Sequence, residues 1–150
     1  MLQLTKRTEY GLIALTYLAS REGEVVSVRE IAERYPVSRR LVGEALKDLC
    51  RSSIVESHRG AAGGYALGRD AGSISVGEVV AILEGAPSLA SCESLGSYVM
   101  GSCEVERVCP IRSPIQRIKS DIWDLLRRSK LSDLTDTLPT PARPLRAVQP

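Results

Sequence analysis

Ser38-Arg39-Arg40-Leu41-Val42-Gly43-Glu44-Ala45-Leu46-Lys47-Asp48-Leu49-Cys50-Arg51 runs directly into Ser52-Ser53-Ile54-Val55-Glu56-Ser57-His58-Arg59-Gly60-Ala61-Ala62-Gly63-Gly64-Tyr65-Ala66-Leu67. In the first half Leu41, Val42, Ala45, Leu46 and Leu49 recur at three- and four-residue steps, the period of a helix with one buried face. That spacing predicts a helix from about Arg39 to Arg51, with Ser38 as N-cap. Arg39, Arg40, Gly43, Glu44, Lys47 and Arg51 are left on its outer side. In the second half Ile54 to Arg59 reads as a strand, the glycines from Gly60 to Gly64 force a turn, and Tyr65-Ala66-Leu67 returns as a second strand.

Upstream, Ser27-Val28-Arg29-Glu30 has capping-box spacing and opens a short helix through Ile31, Ala32 and Arg34, which Pro36 stops. Before it, the dense apolar run between Glu9 and Ser20 predicts a helix packed on more than one side, closed by Gly23. Two short helices joined by a tight turn, the second basic at its start and followed by a hairpin, form a winged helix-turn-helix pattern. Downstream, Ser75-Val76-Gly77-Glu78 repeats the capping-box spacing and opens a helix from Val76 to Leu83. Periodicity is then lost until Cys109.

Ser113 as N-cap and Pro114 at the first helical position begin a long helix. Its Ile115, Ile118, Ile122, Leu125 and Leu126 form a seam, read either as the surface for a partner helix or as a face packed on its own domain. Ser132 to Leu138 adds a last turn, and Pro139 to Pro150, with four prolines in twelve residues, reads as a disordered tail. The expected fold is mainly α with a small β-hairpin. Its parts are a winged-helix DNA-binding domain (1–84), a cysteine-containing sensor loop (85–112), a dimerisation helix with its last turn (113–138) and the tail (139–150).

The chain has 150 residues, about one domain. Apolar residues make up 43% and aromatics 4%, with no Phe, so the core must be aliphatic. No apolar run approaches the roughly 18 residues that cross a bilayer. With no apolar signal core after Met1, a cytoplasmic protein is expected. The net charge of +2 is too even to imply nucleic acid by itself, but the charges are unevenly placed. Between Pro36 and Arg69 six Lys or Arg face three acids, whereas Gly77 to Glu106 holds five acids and no base. Arg side chains on a helix can pair with guanine edges in the major groove, and Ser with several partners. Arg59 at a glycine-rich tip suits a narrow minor groove, and Lys47 and Arg51 are placed to hold phosphates. Glu44 either accepts from cytosine or pairs with Arg40 or Lys47.

Cys92, Cys103 and Cys109 have ten and then five residues between them. Structural zinc favours closer cysteine pairs, and a disulfide would leave one thiol over. The spacing leaves open an iron–sulfur cluster with a fourth ligand from elsewhere or unligated redox-active thiols. Cys50, beside Leu49 on the helix, reads as a structural thiol.

Together these stretches resemble the IscR and NsrR type of winged-helix transcription regulators. The matching residues are Leu4-Thr5-Lys6, Val28-Arg29-Glu30-Ile31-Ala32, Arg59-Gly60-Ala61-Ala62-Gly63-Gly64-Tyr65, Gly68-Arg69-Asp70 and Ile74-Ser75-Val76-Gly77-Glu78-Val79, with the three-cysteine loop before a long helix. The resemblance implies a homodimer paired through that helix on palindromic operator DNA. It also implies a 2Fe–2S cluster (4Fe–4S in some members) whose state changes DNA affinity. By position, Ser38, Arg39, Arg40 and Glu44 match the recognition-helix region, Arg59 and Gly60 the minor-groove wing residues, and Cys92, Cys103 and Cys109 the cysteine ligands. Two departures stand out. Family members commonly leave a shorter first cysteine gap, and Arg112, which has no lone pair for iron, replaces a histidine found in some. Glu9 matches a carboxylate that other members supply from the partner subunit, or else is an acid favoured by the helix dipole. His58, the only histidine, faces DNA or solvent. A cluster-free regulator sensing through cysteine oxidation or a partner protein is the alternative. An enzyme is not expected, because no phosphate-binding loop, nucleophile elbow or metal-binding His pair is present.

Overall fold

The structure is a computed structural model that describes residues 3–85, 89, 93–94, 97–98, 105 and 108–135. The first helix, α1 (Lys6–Ser20), starts a turn before the expected Glu9 because Thr5 caps it, its side chain accepting from the Thr8 N–H. The added turn, Lys6-Arg7-Thr8, contains no apolar residue, so hydrophobic periodicity could not reveal it. In α2 (Val28–Arg34) the Ser27 hydroxyl accepts from the Glu30 N–H at 3.1 Å, as the capping spacing predicts. The Glu30 carboxylate does not reach back. It accepts instead from the Tyr17 hydroxyl at 3.0 Å and lies 3.4 Å from Arg21 Nη1. Tyr35 ends α2 in extended conformation, as a residue before proline must.

The recognition helix α3 (Arg39–Arg51) has the expected bounds, with Ser38 accepting from the Leu41 N–H. Strands β1 (Val55–His58) and β2 (Gly64–Leu67) pair antiparallel, with Val55 opposite Leu67 and His58 opposite Gly64. Val26 and Tyr65 exchange backbone hydrogen bonds at 2.9 and 2.8 Å, which ties the segment before α2 to the hairpin's return strand. Helix α4 (Val76–Glu84) is capped by Ser75. Ala14, Leu15 and Leu18 of α1, Ile31, the apolar face of α3, Ile54, Ile74, Val79 and Leu83 form one aliphatic core. Each fully buried Leu or Ile in it contributes about 1.5–3 kcal/mol.

Within the expected cysteine loop, β3 (Glu93–Ser94) and β4 (Ser97–Tyr98) make a minimal hairpin with Glu93 opposite Tyr98. The long helix α5 (Arg112–Arg128) corrects the expected start. Ile111 stands at the N-cap with no side-chain cap, and Ser113 and Pro114 lie inside the first turn. Proline is tolerated there because the first turn's N–H groups have no intrahelical acceptor in any case. The last turn, α6 (Leu131–Thr135), sends Leu131 into the core. Backbone bonds from the Val76 N–H to the Ser129 oxygen and from the Leu131 N–H to the Ile74 oxygen, each 2.9 Å, clamp the end of α5 to the start of α4. Gly77 permits this approach, since a Cβ there would come within 3.0 Å of the Arg127 nitrogen. The expected tail, 139–150, lies outside the described residues.

Candidate DNA-contact face and cysteine segment

Because α3 turns Val42, Ala45, Leu46 and Leu49 inward, its polar residues must face out. Ser38, Arg39, Arg40, Lys47 and Arg51 are exposed, as are Arg59 and Gly60 at the wing tip. The sequence-predicted contact residues therefore occupy α3 and the adjoining hairpin. Gly60 has φ +113°, which an L side chain rarely adopts, and this lets the chain turn sharply after Arg59. His58 is exposed on the same hairpin.

Several of these cations already have partners. Arg40 Nη1 donates to Glu44 at 3.1 Å, the ion pair of one of the two readings of Glu44. Arg39 lies 3.5 Å from Glu33, whose carboxyl the hydrogen bond and charge of Arg29 hold below its ordinary range. Arg51 donates to Asp48 at 2.6 Å. Lys47 and Arg59 have no acidic partner among the described residues. Exposed pairs of this kind contribute about 0–1 kcal/mol, so a phosphate can exchange for a carboxylate at little cost.

Of the four candidate metal ligands, Cys92 and Cys103 lie outside the described residues. Cys109 is a half-buried free thiol shortly before α5. Glu9 is half-buried in the first turn of α1 and accepts from the Lys6 ammonium at 2.6 Å, and this bond raises the Lys6 pKa. Among the described residues no group of three or more His, Cys, Asp or Glu could hold a metal ion. The donor set of three thiols and a carboxylate nevertheless suits an iron–sulfur cluster. The small hairpin bears on the unusual first gap. The Glu93–Tyr98 and Ser94–Ser97 pairs both fall within the ten residues between Cys92 and Cys103.

Sequence reasoning missed Arg7. It donates to Asp48 on α3 and to the Leu83 carbonyl of α4, partners 41 and 76 residues away. No local pattern signals such a residue.

A basic recognition helix, a glycine-tipped wing and the long amphipathic helix α5 define a winged-helix DNA-binding regulator. The chain belongs to the Rrf2 family of iron-dependent transcriptional regulators, whose profile matches residues 4–137. Members of this family are DNA-binding transcription regulators, not enzymes. Among solved structures the chain is similar to CymR, the global cysteine regulator of B. subtilis, at 27% identity and TM-score 0.73, covering 93% of this chain and 100% of that one. It is similar to the oxidized form of Staphylococcus aureus CymR at 28% identity and TM-score 0.71, with the same coverage of 93% and 100%. T. potens IscR matches at 26% identity and TM-score 0.68, covering 93% of each chain. The winged-helix fold and the resemblance read from the sequence are thereby borne out. No helix among the described residues is long and apolar enough to cross a membrane.

Proposed function

We propose that the chain is a cytoplasmic, homodimeric regulator of palindromic operator DNA whose grip is set by an iron–sulfur cluster, most simply 2Fe–2S. In this reading Ser38, Arg39 and Arg40 meet base edges, with Glu44 holding Arg40. Lys47 and Arg51 meet phosphates, and Arg59 and Gly60 enter the minor groove. The observation that carries the DNA contacts is the outward array of cations on α3 and the wing, in which Lys47 and Arg59 have no acidic partner among the described residues. Pairing of two chains is supported by Ile111, Ile118 and Leu125, spaced by seven residues and 60%, 49% and 57% exposed.

Cys92, Cys103 and Cys109 would hold the cluster, with Glu9 of the partner subunit completing the set. Glu9 must then exchange Lys6 for iron. The family's iron dependence supports this assignment. When bound, the cluster supplies a redox- and nitrosylation-sensitive joint between the two subunits. The clamp of α5 on α4 transmits any shift at the dimer seam to the spacing of the two α3 helices. A bias of a few kcal/mol between two such spacings changes operator occupancy.

The test is anaerobic isolation with iron and sulfide analysis. Visible absorption with stoichiometric iron and sulfide is expected, and Cys103→Ala should lose both while keeping native helical content. A colourless, metal-free protein whose duplex affinity shifts on peroxide treatment would favour a second reading, thiol-based sensing. That reading draws on the likeness to the oxidized form of S. aureus CymR.

A further inference from the structure

One side chain joins the beginning of the cysteine segment to the recognition helix. Arg7, in the first turn of α1, donates from Nη1 to Asp48 Oδ2 at 2.6 Å and from Nη2 to the Leu83 carbonyl oxygen. The other oxygen of Asp48 accepts from Arg51 Nη1, also at 2.6 Å. Leu83 lies in the last turn of α4, where carbonyls have no partner further along the helix. From there the chain leaves through Glu84 and Gly85 toward Cys92. Glu84 is fastened to the same end of α1, accepting from the Thr5 N–H at 2.6 Å.

The two halves of this relay differ in solvent access. The Arg7 and Asp48 side chains are 30% and 27% exposed, whereas Arg51 is 78% exposed. Coulomb attraction is stronger in the less hydrated pair, so Arg7 compensates most of the Asp48 charge and Arg51 is held lightly. Without Arg7, Asp48 would keep Arg51 as its only counterion among the described residues, on a helix that approaches phosphates.

We infer that Arg7 is a positioning residue for DNA binding: it neutralises Asp48 so that Arg51 is free to meet a phosphate. Its second hydrogen bond makes that neutralisation depend on where the end of α4 lies. Displacement of α4's last turn at the entry to the cysteine segment moves the guanidinium and tightens the hold of Asp48 on Arg51, which already donates to it. The inference rests on the reading of Arg51 as a phosphate contact, and the experiment separates the two.

Full-length chains are titrated with a random-sequence duplex of about 30 base pairs across a salt series, since phosphate contacts set the salt slope. Arg7→Met is expected to weaken binding about three- to tenfold and to lower the slope by about one contact. Arg7→Met/Asp48→Asn restores both, and Arg51→Ala has no further effect in the Arg7→Met background. If Arg51→Ala leaves the native chain's slope unchanged, the phosphate contact falls and this inference with it. If Arg51→Ala lowers the slope but Arg7→Met binds like the native chain, Arg7 has no such role. Failure of Asp48→Asn to restore Arg7→Met has the same meaning. Should Arg7→Met not fold, Asp48→Asn and the double variant are compared directly. They must bind equally, and a loss greater than about threefold in the double variant overturns the inference.

Discussion

Helices α3 and α5 both carry an apolar stripe at helical spacing, yet α3 buries Val42, Ala45, Leu46 and Leu49 completely whereas no residue of α5 is buried. The periodicities do not explain the difference. Around α3 the chain supplies α1, α2, α4 and the hairpin, whose side chains close over the stripe. Around α5 the described residues supply chiefly α4, whose Gly77 packs on the backbone of Leu126 and Arg127. Ile111, Ile118 and Leu125 are left facing outward. Amphipathicity therefore states that a helix needs a partner, and the rest of the fold decides whether that partner is in the same chain.

Paired substitutions would break or sharpen this contrast. Leu46→Ala should cost roughly 2–5 kcal/mol in denaturant unfolding, because a fully buried Leu leaves a cavity when truncated. Ile118→Asp should leave the helical spectrum intact while sedimentation shifts from dimer to monomer. If Ile118→Asp unfolds the chain instead, α5 packs on its own domain and the contrast is lost. If it folds but remains dimeric, the chains pair elsewhere.

The same contrast explains what could be read in advance. Ser27, Ser38 and Ser75 each accept from the N–H three residues on, and the stripe of α3 lies within fourteen residues of sequence. Such signals are local, so the helix-turn-helix and wing were legible, and with them Arg39, Arg40, Lys47, Arg51 and Arg59. The seam of α5 could also be seen, but its two readings could be weighed only once neighbours were placed. Strands of two residues carry no alternation, which hid the hairpin at 93–98. Arg7 was invisible because its partners come from distant segments.

Within the contact face, the distinction runs between cations already paired and those left free. Arg59 has no acidic partner among the described residues, so Arg59→Ala removes a charge without liberating a carboxylate there, and it should weaken duplex binding by roughly 1–3 kcal/mol at fixed salt. Arg40→Ala also releases Glu44, which repels the backbone, so its loss should show a component that Arg40→Ala/Glu44→Gln recovers. Equal behaviour of Arg59 and Arg40 in these comparisons would mean that pairing in the free protein does not set their contribution.

The smallest expected effect separates two carboxylates that both titrate below their ordinary value. Burial works to raise Glu84, but the Thr5 N–H, the Thr8 and Thr5 hydroxyls and nearby Arg7 outweigh it and leave its pKa below 4.5. Glu33 is lowered chiefly by its hydrogen bond to Arg29, a pair with both side chains more than half exposed. A carboxylate depressed by folding stabilises the native state above its unfolded pKa, and that stability is lost as pH falls through the folded value. Melting curves between about pH 6 and pH 3 should therefore show an acid-induced loss that Glu84→Gln flattens. That flattening should persist at about 0.5 M salt, because backbone hydrogen bonding is not screened, whereas any contribution from Glu33 fades with the shrinking Debye length. If Glu84→Gln follows the native curve throughout, Thr5 does not hold Glu84 in solution. The polar tie from the end of α4 to α1 would then run through Arg7, and the Arg7→Met comparison would have to carry the polar link between cysteine segment and recognition helix.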